Sequence, residues 1–272
     1  MASRWSIRTQ LSALVLAVML PIIGVAAYGI IDARRESLER AYHEVRVLAA
    51  RTADDLEAIL RDNEAVIGRL AERPLIRALD PTRCDPIIAD YVGLHPDYTQ
   101  FGVRDAHGKL ICSLRPIPTM QLQAGEAAWF KEGMRSGRFN VGGALLGKPS
   151  GRWVSVLTYP VRDDAGKISG LLILPLDLLK LNQRLLGSVP PDALVGVLDR
   201  EGNVVLRSVD YGEWAGKFGR SPPVSDEFRR QVEGSIRVRG ADDVLRVYAV
   251  TTVASSGWRV YASVPEERVF AA

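Results

Sequence analysis

The chain has 272 residues, with 35 basic and 32 acidic side chains, a formal net charge of +3 and 47% apolar residues. That size and balance suit one or two folded domains and exclude a disordered or collagen-like chain. Charges of both signs are interspersed, and 2 Cys and 3 His are too few and too scattered for a zinc framework. Nucleic-acid binding and a metal-organised fold are therefore not expected.

Between Arg8 and Asp32 no side chain is charged. The run Thr9 to Ile31, about 23 residues, spans about 35 Å as a helix, enough for a bilayer core of about 30 Å. Pro21 lies mid-run, which membrane helices tolerate. Arg4 and Arg8 hold the short N-terminal side in the cytoplasm. Two readings stand: an uncleaved anchor, or a signal peptide with an apolar region at Leu11 to Val25 and a cleavage site near Val25-Ala26-Ala27. Both export the remainder of the chain.

From Leu38, apolar or small residues fall at Tyr42, Val45, Ala49, Thr52, Leu56, Ile59, Asn63, Val66 and Leu70, with alternating spacings of four and three. This is a heptad seam. It predicts a stalk helix over Arg34 to Leu70, about 55 Å long, ended by Pro74. The seam could pair with a second copy in a homodimer, Asn63 then fixing register, or pack on the chain's own sheets.

Beyond Pro74 short strands and turns alternate. Gly102-Val103-Arg104-Asp105-Ala106-His107-Gly108 recurs as Gly196-Val197-Leu198-Asp199-Arg200-Glu201-Gly202, without a gap, at an offset of 94 (Gly102 to Gly196). In each, Asp starts the turn through its side chain and Gly supplies positive φ at its end. A second pair of hairpins repeats at offsets of 89 (Tyr159 to Tyr248) and 90 (Pro175 to Pro265). Two successive antiparallel-sheet modules are predicted, an α+β chain.

Membrane run, long helix and two Asp-x-x-Gly sheet modules together resemble the double Cache (dCache) sensor domain of bacterial transmembrane receptors, from Thr9 to Phe270. The strongest pieces are the Gly102 to Gly108 hairpin, Trp129-Phe130, and Tyr159-Pro160-Val161 through Leu174-Pro175-Leu176-Asp177. Val264 to Phe270 resembles the family's exit from its second module. The resemblance implies four parts: a cytoplasmic tip and transmembrane anchor (1–31), a stalk helix (32–73), a membrane-distal PAS-like module (74–188) and a membrane-proximal one (189–272). It implies an inner-membrane receptor with a periplasmic sensor, the distal module holding ligand and the proximal one relaying to the membrane. Chain end at Ala272 precedes the second membrane helix and output domain of such receptors. A longer parent is therefore expected, a sensor histidine kinase first, with a diguanylate cyclase or chemotaxis transducer as alternatives.

In an exported domain, Cys84 and Cys112 are expected to form a disulfide. Closing that loop stabilises by about 3.5 kcal/mol in the chain-entropy model. Amino-acid-binding members carry an Arg two residues before a Trp, a Tyr just after it and a later Asp. Here Trp129 and Asp177 match, whereas Ala127 and Phe130 stand at the Arg and Tyr positions. Loss of the bidentate carboxylate clamp speaks against an α-amino acid. The resemblance leaves an amine, held by Asp177 with Trp129 and Tyr159 stacking on it, or an organic acid, held by Arg135 or Arg152. Each residue also has a structural reading. Asp177 suits a helix N-cap before Leu178-Leu179-Lys180. Trp129 and Phe130 suit core, Tyr159 a strand, and Arg135 and Arg152 solvated surface.

Catalysis has no constellation here. Asp105, Asp163 and Asp199 are expected in turns, His43 and His107 in solvent, and His95 in a loop, with no nucleophile pair. Gly142-Gly143 and Gly147-Lys148-Pro149 fail the phosphate-loop pattern and read as flexible loop near the pocket mouth. Ser221-Pro222-Pro223 reads as loop. No cofactor or metal is expected. An exported binding module without output and an exported hydrolase are the competing functions, and the hydrolase lacks residues.

Overall fold

The computed structural model describes residues 7–114, 123–148, 150–217, 233–240 and 242–271, with side chains from residue 16 onward. Pro149 and the Ser221-Pro222-Pro223 loop lie outside the described residues.

Anchor and stalk are one element. Helix α1 (Ile7–Ala71) has 65 residues and carries Pro21 inside it, about 98 Å of continuous helix. From Leu16 to Ile31 its large apolar side chains are exposed, and the helix is long and apolar enough to cross a membrane. From Ala41 onward one side is buried: Val45, Ala49, Leu56, Leu60 and Ile67 are each at most 1% exposed. Each Leu or Ile so buried contributes about 1.5–3 kcal/mol. The heptad seam therefore packs on the chain's own sheets. Asn63 is buried with it, its Nδ2 donating to the Ile59 carbonyl (2.7 Å) and its Oδ1 accepting from the Tyr98 hydroxyl. It ties the helix to the first module and is not a free register residue for a second copy.

Helix α2 (Pro74–Arg77) opens with Pro at its first turn, where a missing N–H costs nothing. Helix α3 (Ile87–Leu94) follows. Strands β1 (Gly102–Asp105) and β2 (Leu110–Ser113), helix α4 (Ala128–Ser136), and strands β3 (Asn140–Gly147), β4 (Arg152–Arg162) and β5 (Ile168–Asp177) build the first module. Its sheet runs β2-β1-β5-β4-β3, antiparallel throughout. Helix α5 (Leu178–Leu186) leads to β6 (Leu194–Leu198), β7 (Val204–Arg207), α6 (Tyr211–Trp214), β8 (Gly234–Arg239), β9 (Leu245–Thr252), β10 (Arg259–Pro265) and α7 (Glu266–Phe270). The second sheet runs β7-β6-β10-β9-β8, the same order.

The sequence repeat is thus a structural one. Gly102 pairs with Ser113 and Gly196 with Arg207; both hairpins shift register after the next residue, between Val103 and Arg104 and between Val197 and Leu198. Asp105 Oδ1 accepts from the amides of His107 and Lys109 at 2.9 Å, and Asp199 Oδ1 from Asn203 N at 2.8 Å. Asp163 repeats this between β4 and β5. Gly108, Gly166 and Gly202 close these turns at φ 82°, 78° and 87°, a region that costs glycine little.

Both sheets turn one face to α1. Along β5, Leu172, Leu174 and Leu176 join the helix-side core, while Leu171 and Ile173 face outward with Phe130, Val154 and Val156. In the second module Val247, Ala249, Val260 and Ala262 face the helix, and Tyr248, Val250 and Tyr261 face outward. One core therefore follows the stalk beneath both sheets, with a satellite on each outer face. At the end, the Arg34 guanidinium of α1 stands 5.6 Å from the Phe270 ring, and Arg268 pairs with Glu44 at 3.2 Å. The chain leaves the second module beside the helix on which it entered.

The Gly142-Gly143 pair is not loop. It lies inside β3, at a register shift between Val141 and Ala144 opposite Ser155. Two residues without Cβ let the edge strand bulge there. Gly147 ends the strand.

Candidate ligand-binding site

The outer face of the first sheet holds a cavity of about 470 Å³, within the usual range for small-molecule sites. Its floor is Val154 and Val156 of β4 with Ile173 and Pro175 of β5; its walls are Thr99 and Gln100 before β1, Gln123, Ala124, Glu126, Ala127 and Trp129 at and before α4, and Leu145 to Lys148 at the end of β3. Arg104 of β1 projects into it.

Arg104 is only 5% exposed. Its Nη1 donates to the Gly108 carbonyl (2.8 Å), and its guanidinium carbon lies 5.8 Å from the Trp129 ring centroid. Burial pulls its pKa below the ordinary arginine value, with the Asp105 carboxylate opposing; a guanidinium keeps its charge regardless. Lys148 adds a second cation at the mouth. Among the described residues the one acidic lining side chain, Glu126, is held by Lys131 Nζ at 2.6 Å, which lowers its pKa. The cavity is an apolar cleft with a fixed positive end.

The residues expected from the sequence do not gather in one place. Trp129 lines the cavity. Phe130 is buried in the outer core beside it, edge-on to Trp129. Tyr159 projects from the opposite face of β4: a Cβ on Gly68 of α1 would lie 3.3 Å from its ring. That face is a helix-packing one, so Tyr159 cannot stack on a ligand in this cavity. Asp177 is 1% exposed and caps α5, its Oδ1 accepting from Leu179 N (3.0 Å) and Lys180 N (3.3 Å). Its Oδ2 takes a bond from Arg152 Nη1 at 2.8 Å. Asp177 and Arg152 are thereby committed to each other, outside the cavity lining. Arg135 is exposed on α4, paired with Glu132, and also stands apart from this cavity. Cys84 and Cys112 are bonded, with Cα atoms 5.6 Å apart.

Sequence reasoning missed Arg104 and Gln100. The signal was present: Arg104 interrupts the apolar strand Phe101-Gly102-Val103, where a charged side chain must either reach water or be held. Ala127 lines the same cavity, and its buried cation, Arg104, comes from β1.

No curated protein sequence is significantly similar to the chain. Among solved structures, the extracellular domain of rpHK1S-Z16, assigned as a histidine kinase, superposes with TM-score 0.70 at 16% identity, over 85% of this chain and 97% of that one. The ligand-binding domain of Campylobacter jejuni chemoreceptor Tlp3, in complex with L-valine, gives 0.64 at 15% over 87% and 97%. That of Pseudomonas fluorescens chemoreceptor CtaA, in complex with L-isoleucine, gives 0.65 at 16% over 88% and 96%. A Cache domain family model matches residues 32–272. With its stalk helix and two sheets of one topology, the chain belongs to the Cache domain family, in its double form, dCache.

Proposed function

We propose that this chain is the extracytoplasmic ligand-sensing region of a membrane-bound signal-transduction receptor, and that its ligand is a small organic acid held in the outer cavity of the first module. The buried Arg104 guanidinium facing that cavity carries the reading. A carboxylate entering would meet a preorganised cation in a low-dielectric site, where a charge-assisted hydrogen bond contributes about 1.5–3 kcal/mol. Trp129 and the floor of Val154, Val156 and Ile173 would cover its apolar part. Trp129 remains a proposed ligand contact. The amine alternative loses support because Asp177 is spent on α5 and Arg152.

The apolar N-terminal part of α1 supports membrane anchoring, with the two modules outside an inner membrane. Division into 1–31, 32–73, 74–188 and 189–272 belongs to the same proposal, as does an output of histidine-kinase type, for which the rpHK1S-Z16 domain is the supporting neighbour. A homodimer through the stalk would use the side of α1 opposite its buried seam, where Val47 is exposed.

The test is a calorimetric titration of the 272-residue chain in lipid nanodiscs with mono- and dicarboxylates, amines and purines. Saturable binding of a carboxylate is expected. Binding confined to amines or purines, or to none of the panel, would overturn the ligand class. Reading the coding sequence beyond Ala272 tests the output: a kinase domain supports it, and a cyclase, transducer or stop codon replaces it.

A further inference from the structure

The outer cavity of the first module has a second polar end. Phe101 and Val103 belong to the helix-side core, so Gln100, Gly102 and Arg104 alternate onto the outer face. Gln100 and Arg104 both line the cavity. Four residues of extended chain separate their Cα atoms by about 13 Å. Arg104 leans toward the β1–β2 turn, where its Nη1 meets the Gly108 carbonyl. Gly102, midway, puts no side chain between the two ends: a Cβ there would lie 3.6 Å from Ile173 Cγ1, part of the apolar floor.

Gln100 is 7% exposed. Its Nε2 donates to Ser113 Oγ on β2, which leaves Oε1 as the remaining acceptor. Among the described residues Oε1 has no hydrogen-bond partner. It is also reachable, because the sealed side-chain oxygen and nitrogen atoms without partners belong to other residues. The other polar lining groups are used locally or stand in water. Ser150 Oγ donates to the Gly147 carbonyl, Glu126 is held by Lys131, and Gln123 and Lys148 are exposed.

We infer that Gln100 determines the specificity of this cavity, and that its ligand is an unbranched ω-hydroxy carboxylate. The carboxylate would meet Arg104, the methylene chain would cover Ile173 and Pro175, and the terminal hydroxyl would donate to Gln100 Oε1. A terminal ammonium would find no free carboxylate among the described lining residues, and a second carboxylate would face an oxygen that can only accept. The inference rests on the carboxylate reading of the same cavity and adds to it the far end of the ligand.

Hexanoate, 6-hydroxyhexanoate, adipate and 6-aminohexanoate are titrated calorimetrically into the 272-residue chain in nanodiscs, with empty nanodiscs as the blank. 6-Hydroxyhexanoate is expected to bind roughly threefold to tenfold more tightly than hexanoate, and more tightly than the other two. Gln100→Met keeps the side-chain length and removes the amide. It is expected to bring 6-hydroxyhexanoate to the affinity of hexanoate, with hexanoate itself within about twofold of wild type. Retained hexanoate binding shows that the variant is folded. Gln100→Glu, of the same shape, is the second variant and is expected to make 6-aminohexanoate the tightest of the four. Equal binding of hexanoate and 6-hydroxyhexanoate, or a hydroxyl preference that survives both variants, would overturn the inference and leave the carboxylate reading standing. So would binding of other carboxylates but none of these four. Absence of binding by any carboxylate would overturn both.

Discussion

The Arg104 guanidinium carbon stands 5.8 Å from the centroid of the Trp129 ring, one on β1 and the other on α4, both lining the outer cavity of the first module. The ring orients the cation and shields it from water, so its charge acts in a low dielectric. Arg104→Met is therefore expected to weaken carboxylate binding roughly 10- to 100-fold. Arg104→Lys should recover little, because an ammonium lacks the planar fork. Titration of both variants with the best carboxylate decides this; full affinity in Arg104→Met would place the anion elsewhere.

Asp177 makes the opposite prediction. Its two backbone acceptor bonds hold the first turn of α5, and Arg152 closes its outer oxygen. Asp177→Ala is expected to cost about 1–2 kcal/mol in stability through the lost cap. Carboxylate affinity should stay within about twofold of wild type. Denaturant unfolding and calorimetry on one preparation separate the two effects. A stable variant that has lost its ligand would return Asp177 to the pocket.

The contrast between these residues shows what could be read in the sequence. Repeats, turns and the seam were legible because each is a local pattern: Asp105 and Gly108 close their turn within four residues, and the Leu38 to Leu70 spacing depends only on helix period. Tyr159 was not legible as a helix-facing residue, because its ring packs on Gly68 of α1, some ninety positions earlier, a contact that no local pattern records. The bulge at Gly142 and Gly143 was read as loop for the same reason. Two glycines look like a break until Gly143 is seen to face the Asp199 turn of the other module at a distance that leaves no room for a Cβ.

The Cys84–Cys112 bond joins the segment before α3 to β2. It closes a loop that would otherwise be free in the unfolded chain. Replacing both cysteines with serine is expected to lower stability by about 3.5 kcal/mol, and a reductant should lower the melting temperature of wild type but not of the double variant. Equal melting of the two proteins under oxidising conditions would show that the bond adds no net stability.

Asp85 sits beside that disulfide, 3% exposed, and takes two bonds from Arg73, at 2.7 Å from Nε and 3.0 Å from Nη2, with a third from Ile87 N. The Arg73 hydrogen bonds chiefly hold its pKa below the ordinary carboxylate value, with burial opposing them. A depressed folded-state pKa means that the stabilisation is fully present above the unfolded value, about 3.9, and is lost as pH falls through the folded one. Asp85→Asn is therefore expected to melt below wild type at pH 6, with the gap closing as pH drops under about 4. Melting curves of both proteins from pH 2 to 7 test this. A gap that stays constant across the range would mean that Asp85 acts through packing and neutral hydrogen bonds, and that its charge contributes nothing to joining α2 and α3.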